Sequence, residues 1–369
     1  MSVAFGLGYT SFSRSARRLS RYCRHSSRRL IVAARSAPKR VVFLGTPQIA
    51  ANVLKKLYAA SKQSKPEYEL CAVVTQPPAS QGRKRVLTKS PVHIVAEQLG
   101  ISPILTPVRA GEQDFIDSMT HVHPDLCITT AYGKFLPQKF LDLPKFGTLN
   151  IHPSLLPHYR GAAPVPRALE AGVEKTGVTI LYTVLKMDAG PIVAVKEREL
   201  DGSEQTPELL EELVDVGADT LLNVLPSIWE GSAQMCEQDD SQASHAPKLS
   251  KDEARLSFTE NAILNHNKVR ALAGWPGTWA DFSVGESDNA EAIRLKIGKT
   301  TVLRREGGIC FDIHDVSHDA EKNALVITCG DGSRLGLLTV QPPGKRLMDA
   351  GSFWNGLRGR PLQRKRLPY

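Results

Sequence analysis

The chain has 369 residues, 41% of them hydrophobic, which is enough for two domains with cores of their own. Its formal net charge of +9 is unevenly placed: residues 1–37 hold eight arginines and no acid, and the rest is nearly balanced at 39 basic against 38 acidic groups. No uninterrupted apolar run reaches the length of about 18 residues that a membrane helix needs. Cys23, Cys71, Cys127, Cys236, Cys310 and Cys329 are scattered without a Cys-x-x-Cys pair. Neither membrane insertion, a disulfide framework nor a metal site is therefore expected.

The first acidic side chain is Glu67, and the Arg- and Ser-rich start is dotted with apolar residues such as Phe5, Phe12, Leu19 and Ile31. That pattern predicts a mitochondrial transit peptide over residues 1–37, removed near residues 33–38, and a matrix location. A plain basic tail is the alternative. Past it, Arg40–Gly45 reads as a short buried strand, and Pro47 opens a helix through Ala50, Val53, Leu54 and Leu57. Leu70–Thr75 is a second strand, Ser90-Pro91 starts a helix toward Leu99, and Asp125–Thr129 is again a strand. Thr148–His152 follows, then a helix over Pro164–Ala171 and strands near Val178–Leu185 and Ile192–Val195. This alternation predicts an α/β layer with a largely parallel sheet. Gly45-Thr46-Pro47-Gln48 lacks the later glycines that admit a pyrophosphate, which argues against a dinucleotide enzyme.

A helix is predicted from Thr206 to Trp229, with Leu209, Leu213, Val214, Leu221 and Leu225 on its apolar stripe. Residues 230–248 are polar and read as a linker. Beyond them, short strands alternate with Gly-bearing turns at Trp279–Val284, Ile293–Ile297, Gly308–Ile313, Ala324–Thr328 and Leu335–Thr339, the pattern of a small β-barrel. The expected domains are thus residues 38–229 and 249–369, joined by the linker.

The most specific signal is Leu149-Asn150-Ile151-His152-Pro153-Ser154-Leu155-Leu156-Pro157, followed by Met187-Asp188-Ala189-Gly190. In a strand, Asn150 and His152 share one face while Leu149 and Ile151 share the other. Pro153 keeps His152 extended. Such a set suits attack of an amine on a one-carbon acyl group. Asn150 can donate to the developing oxyanion, where losing one donor typically costs ~3 kcal/mol. His152 can donate there too and pass a proton to the departing nitrogen, with Asp188 as the carboxylate that orients and charges the ring. Taken singly, each residue has a plainer role: backbone hydrogen bonding for Asn150 and Ser154, packing for His152, a turn for Asp188.

These residues resemble the folate-dependent formyltransferase family. The resemblance also runs through Val41-Val42-Phe43-Leu44-Gly45-Thr46-Pro47, Thr75-Gln76-Pro77, Ala131-Tyr132-Gly133 and Gly161-Ala162-Ala163-Pro164. It continues in Leu249-Ser250-Lys251-Asp252-Glu253-Ala254-Arg255 and Val340-Gln341-Pro342-Pro343-Gly344-Lys345, so nearly everything past the presequence is covered. It implies a Rossmann-like formyltransferase domain with a predominantly parallel sheet, an OB-like C-terminal β-barrel that binds tRNA, and 10-formyltetrahydrofolate as formyl donor. It implies Asn150, His152 and Asp188 as the catalytic trio, and Ser154, Leu155, Leu156 and Pro157 along the folate. Within the family, the match is to the branch whose acceptor is methionyl-tRNA in translation initiation. There Arg83, Lys84 and Arg85, in a basic loop, would approach the acceptor end. Pro153 departs from the glycine of many bacterial members, but other folate formyltransferases carry proline there. The basic loop is slightly rearranged as well.

Charge supports a nucleic-acid acceptor. Basic residues cluster at Gln81–Lys89 and again at Lys345–Arg366, including Lys345 and Arg346, while the region 201–260 is acidic. Phosphate contacts by such groups drive non-specific affinity. The alternatives are a 10-formyltetrahydrofolate hydrolase or small-acceptor formyltransferase and, in a different class, an RNA-binding module with an inactive enzyme-like domain. A monomer is expected.

Overall fold

The computed structural model describes residues 37–63, 67–81, 86–286, 290–303 and 315–364. Its first half alternates β1 (Lys39–Gly45), α1 (Gln48–Ser61), β2 (Tyr68–Val74), the hairpin β3 (Ala79–Gln81) and β4 (Val86–Thr88), and α2 (Pro91–Gln98). Then come β5 (Ile104–Leu105), α3 (Gln113–Val122), β6 (Leu126–Thr130), α4 (Gln138–Leu141), β7 (Thr148–His152), β8 (Arg160–Gly161) and α5 (Pro164–Glu170). β9 (Lys175–Tyr182), β10 (Ile192–Glu199) and the long α6 (Thr206–Glu230) complete it. The main sheet has the order β10-β9-β7-β6-β1-β2-β5. β7, β6, β1, β2 and β5 are mutually parallel, and β9 and β10 add an antiparallel edge.

Helices cover both faces, so the central strands are apolar on both sides. Val41, Phe43, Leu126, Ile128, Leu149 and Ile151 share a core with residues of α1, α2 and α6, while Val42, Leu44 and Cys127 pack with α3 and α4. Burying a Leu149-sized side chain contributes roughly 2 kcal/mol. β7 breaks the two-sided pattern: its other face carries Asn150 and His152. The predicted span Thr148–His152 is reproduced. The next strand starts earlier than predicted, at Lys175, because β10 pairs with it from Ile192–Leu181 down to Glu199–Lys175. Pro47 precedes α1 as its N-cap and does not enter the first turn. Ser90 caps α2 by accepting the His93 backbone N–H.

The second half holds β11 (His245–Ala246), α7 (Ala262–Ala271), β12 (Thr278–Val284), β13 (Glu291–Leu303), β14 (Val316–Asp319), β15 (Ala324–Thr328), β16 (Arg334–Gln341), β17 (Met348–Asp349), α8 (Ala350–Gly356) and β18 (Leu362–Arg364). The antiparallel order β14-β15-β16-β13-β12-β18 is joined at its ends by a bridge between Asp315 and Gln363, giving a nearly closed barrel. Alternate residues Ala280, Phe282 and Val284 of β12 point into its core. The predicted strand Gly308–Ile313 lies outside the described residues. The two halves meet through helices, with Val165 and Leu169 of α5 and Leu209 and Leu213 of α6 packed on Ala271 of α7, and Thr206 donates to the Ala271 carbonyl at 2.7 Å. No helix of the described residues is long and apolar enough to cross a membrane, and no group of metal-ligating side chains occurs among them.

The connector between α6 and the barrel, a linker by composition, is laid against the first domain. Cys236 exchanges both backbone hydrogen bonds with Ile192, and β11 pairs in parallel with β8.

Candidate active site

The sheet order reverses at β1, which sends the chain to β2 on one side and receives β6 on the other. The carboxyl ends flanking such a switch are where open α/β sheets bind ligands. Here the Tyr132 carbonyl, just beyond β6, accepts Thr46 Oγ1 from the β1 exit and Gln76 Nε2 from the β2 exit, both at 2.9 Å. Three segments with the quoted motifs are thereby tied into one rim. Burial pushes the Tyr132 phenol up to about 12, so it stays neutral.

Asn150 and His152 lie at the carboxyl end of β7, next in the sheet to β6. Thr129 of β6 sits directly opposite Asn150 in the register, so their side chains share a face. Thr129 Oγ1 donates to Asn150 Oδ1 at 2.7 Å. In this arrangement the amide oxygen is engaged and the Nδ2 hydrogens remain to donate. His152 is 4% exposed, and its Nε2 lies 3.1 Å from the Tyr159 carbonyl oxygen. A carbonyl only accepts, so Nε2 carries a proton. Nδ1 faces Asp188 Oδ2 at 3.8 Å, an ion-pair separation longer than a hydrogen bond. The same Oδ2 accepts the Gly161 backbone N–H at 2.9 Å. The imidazole is thus hydrogen-bonded at Nε2, while Nδ1 faces a carboxylate without a hydrogen bond to it. Both residues that grip it have left-handed backbone, Tyr159 at φ 60° and Asp188 at φ 48°. Such conformations in non-glycine residues cost of order 1 kcal/mol and persist only where surroundings enforce them.

The enforcement comes from the connector. Tyr159 N–H donates to Ser244 Oγ at 2.8 Å, and Gln238 Nε2 donates to the carbonyls of Asp188 and Gly190, each at 2.8 Å. Arg160, itself buried, donates through Nε and Nη2 to Gln238 Oε1 at 3.0 and 2.7 Å and through Nη1 to Asp240 at 2.7 Å. Lys186 pairs with the other Asp240 oxygen, and these two cations, Lys186 first, hold the Asp240 carboxyl below the usual carboxylate range. Two glycines are dictated by close approach. A Cβ on Gly190 would stand 1.9 Å from the Tyr182 carbonyl oxygen, and one on Gly161, at φ +128°, would stand 2.7 Å from the Ala246 oxygen.

The turn Ser154-Leu155-Leu156-Pro157 leaves β7 anchored on β9. Thr179 Oγ1 donates to the Ser154 carbonyl at 2.7 Å and accepts Leu156 N–H at 3.2 Å. Ser154 is fully buried, and its hydroxyl donates to the His158 carbonyl at 2.8 Å, so that group is spent inside the turn. Leu155 and Pro157 are partly exposed and Leu156 is buried. Lys345 and Arg346 are exposed in the turn between β16 and β17, on the barrel and not on the rim. Arg83, Lys84 and Arg85 lie outside the described residues. Thr129, Thr179, Tyr159 and Gln238 were not among the candidates from sequence. Thr129 had a signal, a hydroxyl at the end of a buried strand. Gln238 had none, since its partners, two backbone carbonyls and the Arg160 guanidinium, lie about fifty to eighty positions away.

A buried imidazole between a carbonyl and a carboxylate, beside an amide with free donors at the end of a parallel sheet, is a site for acyl-group chemistry. Residues 39–225 match the family described as Formyl transferase, and residues 248–358 match its C-terminal domain. The chain belongs to the formyl transferase family and is an enzyme of it. It is 34% identical over 317 residues to the methionyl-tRNA formyltransferase of Macrococcus caseolyticus, covering 86% of this chain and 95% of that one. It is 35% identical over 317 residues to the methionyl-tRNA formyltransferase of Bacillus pumilus, covering 86% and 94%. Among solved structures, WlaRD, a sugar 3N-formyl transferase with dTDP and 5-N-formyl-THF, superposes with a TM-score of 0.56 at 15% identity, covering 84% of this chain and all of that one. HypX from Aquifex aeolicus in complex with tetrahydrofolic acid gives a TM-score of 0.54 at 16% identity, covering 88% and 48%. These two likenesses bear on the fold.

Proposed function

We propose that this enzyme transfers the formyl group of 10-formyltetrahydrofolate to the α-amino group of methionyl-tRNA, and that it does so in the mitochondrial matrix to make the initiator for translation. The acceptor amine is the nucleophile. As it attacks the formyl carbon, a C–N bond forms and charge collects on the formyl oxygen, where Asn150 Nδ2 donates together with Nδ1–H of the imidazolium form of His152, whose Nε2 stays on the Tyr159 carbonyl. Collapse of the tetrahedral centre breaks the bond to the folate nitrogen, which takes a proton from His152, and the amine returns its own proton to the ring. Asp188 orients the imidazole and balances its charge. Leu155, Leu156 and Pro157, at the β7 exit, are the residues for the folate side of the cleft, with Ser154 holding their turn.

The observation that carries this reading is the juxtaposition of Asn150 and His152 on one face at the β7 exit, with the Asn150 oxygen taken by Thr129 and its N–H groups left to donate. A free amide oxygen aimed at the reacting carbonyl would repel the oxyanion. Full-length relatives with the methionyl-tRNA name support the acceptor, as do exposed Lys345 and Arg346 on the barrel. Arg83, Lys84 and Arg85 supply further positive charge from sequence. The Arg-rich, acid-free residues 1–37 support the address.

Incubation of the purified enzyme with 10-formyltetrahydrofolate labelled in the formyl group, with and without methionyl-tRNA, tests the assignment. Label should appear on the methionyl amine, and the rate should fall steeply with added salt because phosphate contacts are being screened. Label released as formate irrespective of tRNA would mark a hydrolase, and a flat salt response would remove the phosphate contacts. A fluorescent protein fused behind residues 1–37 should enter mitochondria; a diffuse cytosolic signal would cancel the address.

A further inference from the structure

We propose that Gln238, in the connector to the barrel, is a positioning residue for the Asp188–His152 pair. The inference rests on the formyl-transfer reading above. Every hydrogen-bonding position of the Gln238 amide is in use. Its two N–H groups go to the carbonyls of Asp188 and Gly190, and its oxygen takes two bonds from the Arg160 guanidinium. The two carbonyls bracket Ala189, so one side chain fixes the backbone on either side of the turn that aims the Asp188 carboxylate.

That turn needs holding. Asp188 has left-handed backbone, and in this conformation its carboxylate lies 3.8 Å from Nδ1 of His152. Arg160 makes the hold rigid, being 7% exposed and fastened to Asp240 as well. Arg160 is also the neighbour of Tyr159, whose carbonyl takes the opposite nitrogen of the same ring. Gln238 therefore ties the two loops that flank His152 to one another. Among the described residues its hydrogen bonds go to Arg160, Asp188 and Gly190, so its effect on His152 is transmitted through Asp188.

Gln238→Glu keeps the side-chain volume and the acceptor for Arg160 but has no N–H to give. Its kcat for formylation of methionyl-tRNA should fall about tenfold or more, since displacements of about 1 Å in a catalytic group carry penalties up to about a hundredfold. KM for both substrates should stay within about twofold, because the changed contact touches neither. In single-turnover measurements the same change made in an Asp188→Asn enzyme should cost nothing further, the positioned group being already disabled. Should the added carboxylate unfold the loop, Gln238→Met, neutral and similar in volume, carries the same expectations. Native kcat in the folded variants, or an equal loss with and without Asp188, overturns the assignment. Failure of the functional reading looks different: the native enzyme then makes no formyl-methionyl-tRNA at all, and the role of Gln238 falls with it.

Discussion

Strand β7 and the connector at residues 231–250 serve the same imidazole by different means. β7 delivers Asn150 and His152 to one face by alternation alone, with Leu149 and Ile151 locked in the core on the other. The connector contributes no group to the rim. It holds the two loops that grip His152 through Gln238, Ser244 and the backbone pairing of β11 with β8. One region places chemistry by a local period of two, the other by contacts between residues fifty to eighty-five positions apart. The first kind of information is written in a short stretch of sequence. The second exists only once the chain has folded.

The comparison breaks most visibly at the groups themselves. Asn150→Ala should lower kcat by roughly 100- to 1,000-fold through loss of an oxyanion donor. Asp188→Ala should lower it by roughly 100-fold or more through loss of the ring's partner. Steady-state formylation assays check both, with circular dichroism to show an intact fold, and near-native turnover in either would remove that residue from the mechanism. Next is the connector side, in Gly190→Ala. Its new methyl would press into the Tyr182 carbonyl and displace the backbone that Gln238 holds, at a cost of about 2 kcal/mol or more. Urea titration should show the loss; unchanged stability would mean the turn is free to move and the connector clamps nothing.

Thr129→Val sharpens the strand side. Without the hydroxyl, the Asn150 oxygen loses the hydrogen bond that holds the amide against turning over, and kcat should drop about tenfold, or ~1.4 kcal/mol in the barrier. Thr129→Ser should restore it, whereas an unaffected Thr129→Val would show that the amide is oriented by something else. The smallest effect concerns Asp240. Lys186 and Arg160 hold its carboxyl below the ordinary range in the folded state. Its contribution is therefore complete above the unfolded value of about 4 and fades as pH falls through the lowered folded value. The native midpoint of thermal unfolding should drop slightly more than that of Asp240→Asn on going from pH 5 toward pH 3. Parallel curves would leave Asp240 no part in the hold.

Much of this was legible beforehand, for identifiable reasons. β7 was readable because alternation and a following proline leave it no other conformation, and the parallel sheet because its buried strands recur between helical patterns. The turn with Asp188 was less so. The strand before it was expected to reach Leu185, but it ends at Tyr182, where the Tyr182 N–H donates to the Pro191 carbonyl and the chain turns toward Gly190. Ser154 illustrates a different case: its plainer reading from the residues, backbone hydrogen bonding, is the one its hydroxyl follows in closing the turn on the His158 carbonyl. The connector was opaque because polar side chains that bond backbone carbonyls resemble, in composition, those that face water.

The account turns on where the formyl group sits. A crystal structure with a non-transferable formyl-folate analogue addresses that directly. The formyl oxygen should lie within about 3 Å of Asn150 Nδ2, on the imidazole side of β7, with Thr129 still bonded to the amide oxygen. A formyl group beyond hydrogen-bonding reach of both Asn150 and His152, or met by the amide oxygen in place of its nitrogen, would contradict the account.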